Sequence, residues 1–316
     1  MQIAFVRGSL LNPEPYSTEV YDATYPASKW LGELPVMSEL DATSLLRTEI
    51  VSLRDVHCGG ACQHRTPEEF ASATHLVFPY RGIYLRHVGQ DQAVADANHV
   101  LFFSAGEGYQ VSHPVAGGDS SLSLSLADSI LRELAPGRIL SDRAITGFRH
   151  QHQGIDPRAQ ALVALLRHGL HNGAIEPLEA ENLTLTLVCR SLGPRTSHEC
   201  RATHGNRRLT DRVKVLLASD LSRRWTLSEI ASEIRGSPVY LTQVFQQVEG
   251  IPLYRYHLRL RLARALDLIA RYDDFSTLAA DLGFSSHSHF SAAFRQAYGR
   301  SPTAFKQCAK SSRENH

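Results

Sequence analysis

Two regimes of hydrophobic patterning succeed one another along the chain. From about Arg47 to Leu126, short apolar runs alternate with turn residues, in HLVFPY, GIYLRHV, QAVAD, NHVLFFS, YQVSHPV and SLSLSL. Alternation at period two predicts strands, and a close succession of such strands predicts a β-roll or barrel. From Ala127 onward the period lengthens to that of a helix, in DSILREL, in RAQALVALLRHGL (Arg158–Leu170) and near EPLEAENLTLTLVCRSL. Residues 1–48 are rich in Pro, Ser, Thr and Tyr, hold no sustained period, and are expected to form a loosely ordered extension.

The pattern is most regular between Thr226 and Phe305, where it predicts two helix-turn-helix units. In the first, Thr226 with Glu229 three residues on makes a capping box, and Ile230, Ala231 and Ile234 form the buried edge of the helix it opens. Ser237-Pro238 starts a second helix that turns Leu241, Val244, Phe245 and Val248 inward and leaves Val239, Thr242, Gln243 and Gln246 outside. In the second unit, Leu278, Ala279 and Leu282 lie at one-turn spacing, and Gly283 supplies the residue that turns the chain. A helix capped by Ser285 or Ser286 follows, with Phe290, Ala293, Phe294 and Ala297 inward and His287, Ser288, Ser291, Ala292 and Arg295 outward or flanking. Between the units, Pro252 to Tyr272 reads as one basic helix of 21 residues. Its length of about 30 Å approaches the roughly 34 Å of a DNA turn, so the two outward faces are expected in successive major grooves.

This C-terminal hundred residues resembles the DNA-binding domain of the AraC/XylS family of bacterial transcription regulators. The resemblance is carried by the segment Arg259 through Ala270 and then by DLGFSSHSHFSAAFRQAYGRSP. It implies a cytoplasmic regulator that binds double-stranded promoter DNA, commonly as a homodimer and in contact with RNA polymerase. It also implies a preceding cupin-like barrel with following helices that senses an effector, whether a small molecule or a metal. The expected fold class is therefore α+β: an extension (1–48), a β-rich effector and dimerisation region (49–195), a linker (196–207) and an all-α DNA-binding domain (208–310). One position departs from the family pattern. The family has Gly and then an apolar residue before the Ser-Pro cap, whereas this chain has Arg235 and Gly236. Arginine at a positive φ costs about 1 kcal/mol, so this first turn is expected to be strained or shifted.

Charge divides at the same place. Residues 201–316 hold 18 Lys and Arg against 10 Asp and Glu, the first 200 residues hold 15 against 22, and the whole-chain +1 conceals the contrast. A basic domain neutralises phosphates, a role expected of Arg255 and Arg259 and, with them, of Arg261, Arg264, Arg295 and Arg300. No apolar run approaches the 18 or so residues of a membrane span, and the N-terminus lacks a signal-peptide pattern. Five unevenly spaced cysteines read as reduced thiols.

The densest candidate chemistry is DVHCGGACQHRTPEE, which sets His57, Cys58, Cys62 and His64 within eight residues. Two readings stay open: zinc or another soft metal, or a thiol-redox site, recruiting a further ligand such as His75, His87, His99 or His113; or a loop whose cysteines are structural. A second group, His198, Cys200 and His204, falls in the linker. Arg81, Arg86, Tyr109 and His113 are candidates to line an effector pocket, with His87 and Glu107 on neighbouring strand segments. The metal motif of catalytic cupins pairs two histidines one residue apart with a nearby glutamate. No such triplet precedes the DNA-binding domain, so no enzyme activity is expected. A DNA-alkylation sensor carries about four zinc cysteines ahead of this same domain, and the presence of only Cys58 and Cys62 in the equivalent region argues strongly against it.

Overall fold

A computed structural model describes residues 40–60, 62–141, 146–193 and 202–310, and these described residues belong to one compact unit. Residues 1–39 of the expected extension, the first half of the linker 196–207, and His198 and Cys200 lie outside the described residues. The strands are β1 (Leu40–Arg47), β2 (Val51–Cys58), β3 (Glu69–Phe70), β4 (His75–Arg81), β5 (Tyr84–Val88), β6 (Asp91–Ala95), β7 (His99–Phe103), β8 (Gly108–Ser112), β9 (Asp119–Leu126), β10 (Leu140–Ser141), β11 (Gly147–Phe148) and β12 (His152–Gly154). The helices are α1 (Asp128–Leu134), α2 (Pro157–His171), α3 (Pro177–Leu192), α4 (His204–Ser219), α5 (Leu227–Ile234), α6 (Pro238–Glu249), α7 (Leu253–Leu268), α8 (Phe275–Asp281), α9 (His287–Tyr298) and α10 (Pro302–Lys310).

The strands build a six-stranded sheet of order β1-β2-β9-β4-β7-β12, a four-stranded sheet of order β3-β8-β5-β6 and a β10-β11 ribbon. Alternation decides what each face of the larger sheet meets. Leu76, Phe78, Val100, Phe102, Leu122 and Leu124 point to one side and pack with residues of α1 to α3. Val77, Leu101 and Phe103, one position out of phase, join Tyr84 and Ala95 of the smaller sheet. The expected barrel is not what forms: both sheets are open in their strand order, and helices cover the face that closure would otherwise bury. The β region also begins earlier than expected, because β1 pairs antiparallel with β2 from Leu40 onward, inside the stretch read as extension.

Helices α4 to α10 enclose two cores that share α7. Val213, Leu217, Ile230, Ile234, Leu241, Phe245, Tyr256 and Leu260 form the first. Leu262, Leu266, Leu278, Phe290, Phe294 and Phe305 form the second, which also takes in Ala164 of α2. Because α4 starts at His204 and supplies Val213 and Leu217 to the first core, the C-terminal domain begins inside the expected linker. The joining helix is also shorter than its sequence suggested: α7 has 16 residues, about 24 Å, and ends before Asp273-Asp274, where Asp274 caps α8.

Candidate functional site

Each helix-turn-helix unit presents its second helix to solvent. On α6, Val239, Gln243 and Gln246 are exposed, and Thr242 is half-buried, with its hydroxyl donating to the Pro238 carbonyl at 2.9 Å. The capping box forms in full at Thr226 and Glu229, and α6 starts with Pro238 in its first turn. Arg235 takes φ 58° and ψ 52°, and among the described residues it is the one non-glycine at positive φ. On α9, His287, Ser288, Ala292 and Arg295 are exposed and Ser291 is half-buried, its Oγ 3.2 Å from His287 Nε2. Ser286 caps this helix by accepting from the His289 amide at 3.1 Å.

The basic residues divide into free and committed ones. Arg255 is exposed, as is Arg295. Arg261 instead donates to the carbonyls of Leu221 (2.6 Å), Ser222, Arg223 and Gly283, and Arg224 donates to Gly283 and Phe284. Together they tie the loop before the first unit to the turn of the second. Gly283 permits this crossing, since a Cβ there would lie 1.9 Å from the Ser222 carbonyl oxygen. Arg264 pairs with Asp267, Arg300 donates to the Cys308 sulfur, and Arg259 is half-buried, with its pKa lowered by burial. Four of the six arginines expected to neutralise phosphate therefore have other surroundings.

The two domains meet along a buried polar seam. Glu249, at the end of α6, accepts from Lys214 Nζ of α4 at 2.6 Å and lies 3.3 Å from His99 Nε2 of β7. His99 Nδ1 lies 2.9 Å from Asp96, which also accepts from the Tyr256 hydroxyl of α7. Burial disfavours the charge on Glu249, yet Lys214 and His99 outweigh it and hold the carboxyl far below its usual range. The same network raises His99, whose carboxylate neighbours overcome burial and the repulsion of Lys214. His152 beside it is pushed down to about 3 by burial, His99 and Lys214. Further along, Arg167 of α2 donates to Asp267 of α7 at 2.7 Å and stacks over Tyr80 at 4.0 Å.

The four expected effector residues do not share one pocket. Arg86 is fully buried, 2.5 Å from Glu107 and 3.8 Å over the Phe103 ring, and Tyr109 donates to Glu69. Arg81 borders a cleft of about 440 Å³ that runs between Gly82 and Val115–Gly118 on one side and Ala218–Ser222, Arg264 and Leu282 on the other. His113 sits elsewhere, in the thiol cluster, 3.1 Å from Cys62 Sγ through Nδ1 and 2.7 Å from Asp119 through Nε2. Burial opposes its charge, but hydrogen bonds with Asp119, Cys58 and Cys62 push its pKa up to about 10.

Of the four expected metal ligands only the two cysteines belong to this cluster. His57 turns to Ser120 Oγ at 2.8 Å and His64 is exposed in a bend. Of the further ligands considered, His75 stacks on Phe103 and His87 meets Ser112, which leaves His113 as the recruit. Asp119 was missed. Its signal lay in the strand pairing that sets it opposite Cys58, a long-range register with no local trace.

Two helix-turn-helix units with solvent-facing second helices, joined by α7 on a basic domain, define a DNA-binding transcription regulator. Residues 230–307 match the family model described as a helix-turn-helix domain. The chain is 29% identical over 239 residues to the probable transcriptional regulator LumQ of Photobacterium leiognathi, covering 74% of this chain and 92% of that protein. It is 30% identical over 127 residues to the regulatory protein PocR of Salmonella typhimurium, covering 39% of this chain but only 42% of PocR. Superposed on ToxT from Vibrio cholerae, it gives 11% identity and a TM-score of 0.33 over 82% of this chain and 99% of that one. Residues 230–307 are thus a helix-turn-helix domain of the AraC type, in a chain similar along most of its length to a transcription regulator. No helix among the described residues is long and apolar enough to cross a membrane.

Proposed function

We propose that the protein is an effector-controlled regulator that binds promoter DNA in the cytoplasm as a homodimer and acts through RNA polymerase. Residues 40–193 serve as the β-rich effector and dimerisation region and residues 202–310 as the DNA-binding domain. The seam is the observation that carries this reading, because Glu249 fixes the end of the first reading helix to β7 of the sheet domain. Both reading faces remain exposed while the seam is closed. Control therefore falls on the aim of α6 relative to α9, and an effector works by favouring one arrangement of the seam over another. A small-molecule effector has room in the cleft beside Arg81, whose volume of about 440 Å³ falls in the usual range for ligand sites.

The test starts with selection of genomic fragments by the full chain, followed by operator affinity measured by fluorescence anisotropy over a range of salt concentrations. The expected result is a site bound about 10³-fold or more tighter than random duplex, with an effector response that Arg81→Ala removes while operator affinity stays. Binding that never exceeds the affinity for random duplex would sink the reading.

A further inference from the structure

The geometry points to a binding site for one thiophilic metal ion, Zn²⁺ or Cu⁺, formed by Cys58, Cys62 and His113 Nδ1, with Asp119 orienting the histidine. The strand layout brings these residues together from three places. β2 ends at Cys58, directly opposite Asp119 at the start of β9. β8 ends one residue before His113, whose backbone amide donates to the Cys62 carbonyl at 2.8 Å. Close backbone crossing makes the meeting possible: a Cβ on Gly118 would lie 2.0 Å from the Cys58 carbonyl oxygen, and one on Gly60 would lie 2.5 Å from Gly118 Cα.

The donor set fits such an ion. Asp119 Oδ1 accepts from His113 Nε2 at 2.7 Å, and Nδ1 is 3.1 Å from Cys62 Sγ, so a metal ion that displaces the Nδ1 proton meets a lone pair aimed at the thiols. A carboxylate behind a ligating imidazole is the usual outer partner of a metal-bound histidine. The ligand atoms of Cys58, His113 and Asp119 all lie within 4.8 Å of one another. Sulfur and nitrogen donors on a tetrahedral zinc stand about 3.5 Å apart; Cys62 Sγ is already near that spacing from Nδ1, and rotation of the Cys58 side chain brings the second sulfur to the same ion. Two thiolates and an imidazole favour Zn²⁺ or Cu⁺ over hard cations.

The site also has a route to the DNA-binding half. Residues 114–118 link His113 to Asp119, and Val115–Gly118 form one wall of the cleft that faces Ala218–Ser222 and Leu282. Metal binding fixes both ends of this loop, and so acts on the surface that the C-terminal domain rests against. This coupling, unlike the site itself, rests on the effector-controlled reading proposed above.

The experiment uses the full chain, reduced and stripped of metal, with Zn²⁺ or Cu⁺ added in separate dialysis series against a competing chelator of known affinity. One equivalent is expected with one of the two ions, and which one it is assigns the metal. Cys58→Ser and Cys62→Ser should each lower affinity more than 100-fold, Asp119→Asn by about 10–100-fold, and His57→Ala and His64→Ala not at all. Wild-type protein gives an independent readout: the ion should slow alkylation of Cys58 and Cys62, read by mass spectrometry, while the exposed Cys189 and Cys308 react as before. Substoichiometric binding of both ions, or unchanged alkylation of Cys58 and Cys62, would overturn the site. Stoichiometric binding that leaves operator affinity unchanged would keep the site and overturn its coupling. Metal binding by a chain with no sequence-selective DNA binding would keep the site and remove the regulator reading.

Discussion

Arg235 ends α5 in a left-handed conformation that glycine adopts freely and arginine does not. Arg235→Gly should therefore raise stability by about 0.5–1 kcal/mol, the relief of strain being partly offset by the greater freedom of glycine in the unfolded chain. A urea midpoint that stays or falls would mean that the arginine makes a compensating contact. Reading is also decided residue by residue. Gln243 can form a bidentate contact with adenine and His287 can donate to guanine, so alanine at either should weaken operator binding by about 1–3 kcal/mol and relax preference at a few bases. Arg295→Ala should instead weaken binding to all sequences alike and lower the salt slope by about one. Anisotropy against operator and random duplex separates these outcomes, and unchanged affinity in both Gln243→Ala and His287→Ala would show that other residues read the bases. The strain at Arg235 was legible because its place before Gly236, Ser237 and Pro238 is a local pattern. The commitment of Arg261 was not, since its acceptors come from Leu221, Ser222, Arg223 and Gly283, far away in the chain.

At the scale of elements, helical periodicity located the reading helices closely, because buried and exposed positions on α6 and α9 follow from spacing alone. Phe290 and Phe294 are fully buried, with their rings 5.7 Å apart, and Phe294 also meets Tyr298 and Phe305. Phe294→Ala should cost about 3–5 kcal/mol, because removing the ring loses its burial and leaves a cavity among aromatic neighbours that collapse poorly. Thermal or urea unfolding checks this, and a loss below about 1 kcal/mol would mean that the second core repacks around the gap. Periodicity misled where apolar residues ran past a helix end. Ile269 and Tyr272 extended the pattern of α7, but the chain turns there and Asp274 caps the next helix by accepting from the Ser276 and Thr277 amides. Strands were legible from alternation, whereas their order was not, since β9 lies between β2 and β4 through pairings that no local feature announces. That order is what leaves the sheets open and what places Asp119 beside Cys58.

The molecule as a whole is held by charges buried between domains, and these tie its stability to pH. His152 is depressed to about 3, and His168 and His257 to about 4, each first by burial and then by neighbouring cations. The folded protein keeps them neutral, so below their ordinary value of 6.5 the unfolded chain binds more protons and stability falls with pH, by up to about 1.4 kcal/mol per unit for each. His99 and His113 are raised, the latter to about 10, so their contribution is complete below 6.5 and is lost as pH rises toward their folded values. Unfolding free energy should thus peak near neutrality and decline on both sides, and a flat profile between pH 5 and pH 7 would show that these imidazoles are not held neutral. Glu249 tests the seam itself. It faces Lys214 and His99, both almost fully buried, and replacing its charge leaves Lys214 with only the more distant Asp211, at 3.9 Å, while His99 keeps Asp96. Breaking one member of a buried ion pair costs about 3–5 kcal/mol, more than a typical reading contact supplies. Glu249 lies at the end of α6 beyond the outward residues, so Glu249→Gln should destabilise the docked arrangement without removing a base contact. The expected pair of results is a lower unfolding midpoint together with an effector-independent operator affinity, since α6 is then no longer aimed by the sheet domain. If Glu249→Gln lowers stability while the effector response persists unchanged, the seam is a structural joint, and control of the reading helices must pass through α2 and its contacts with α7 and α9.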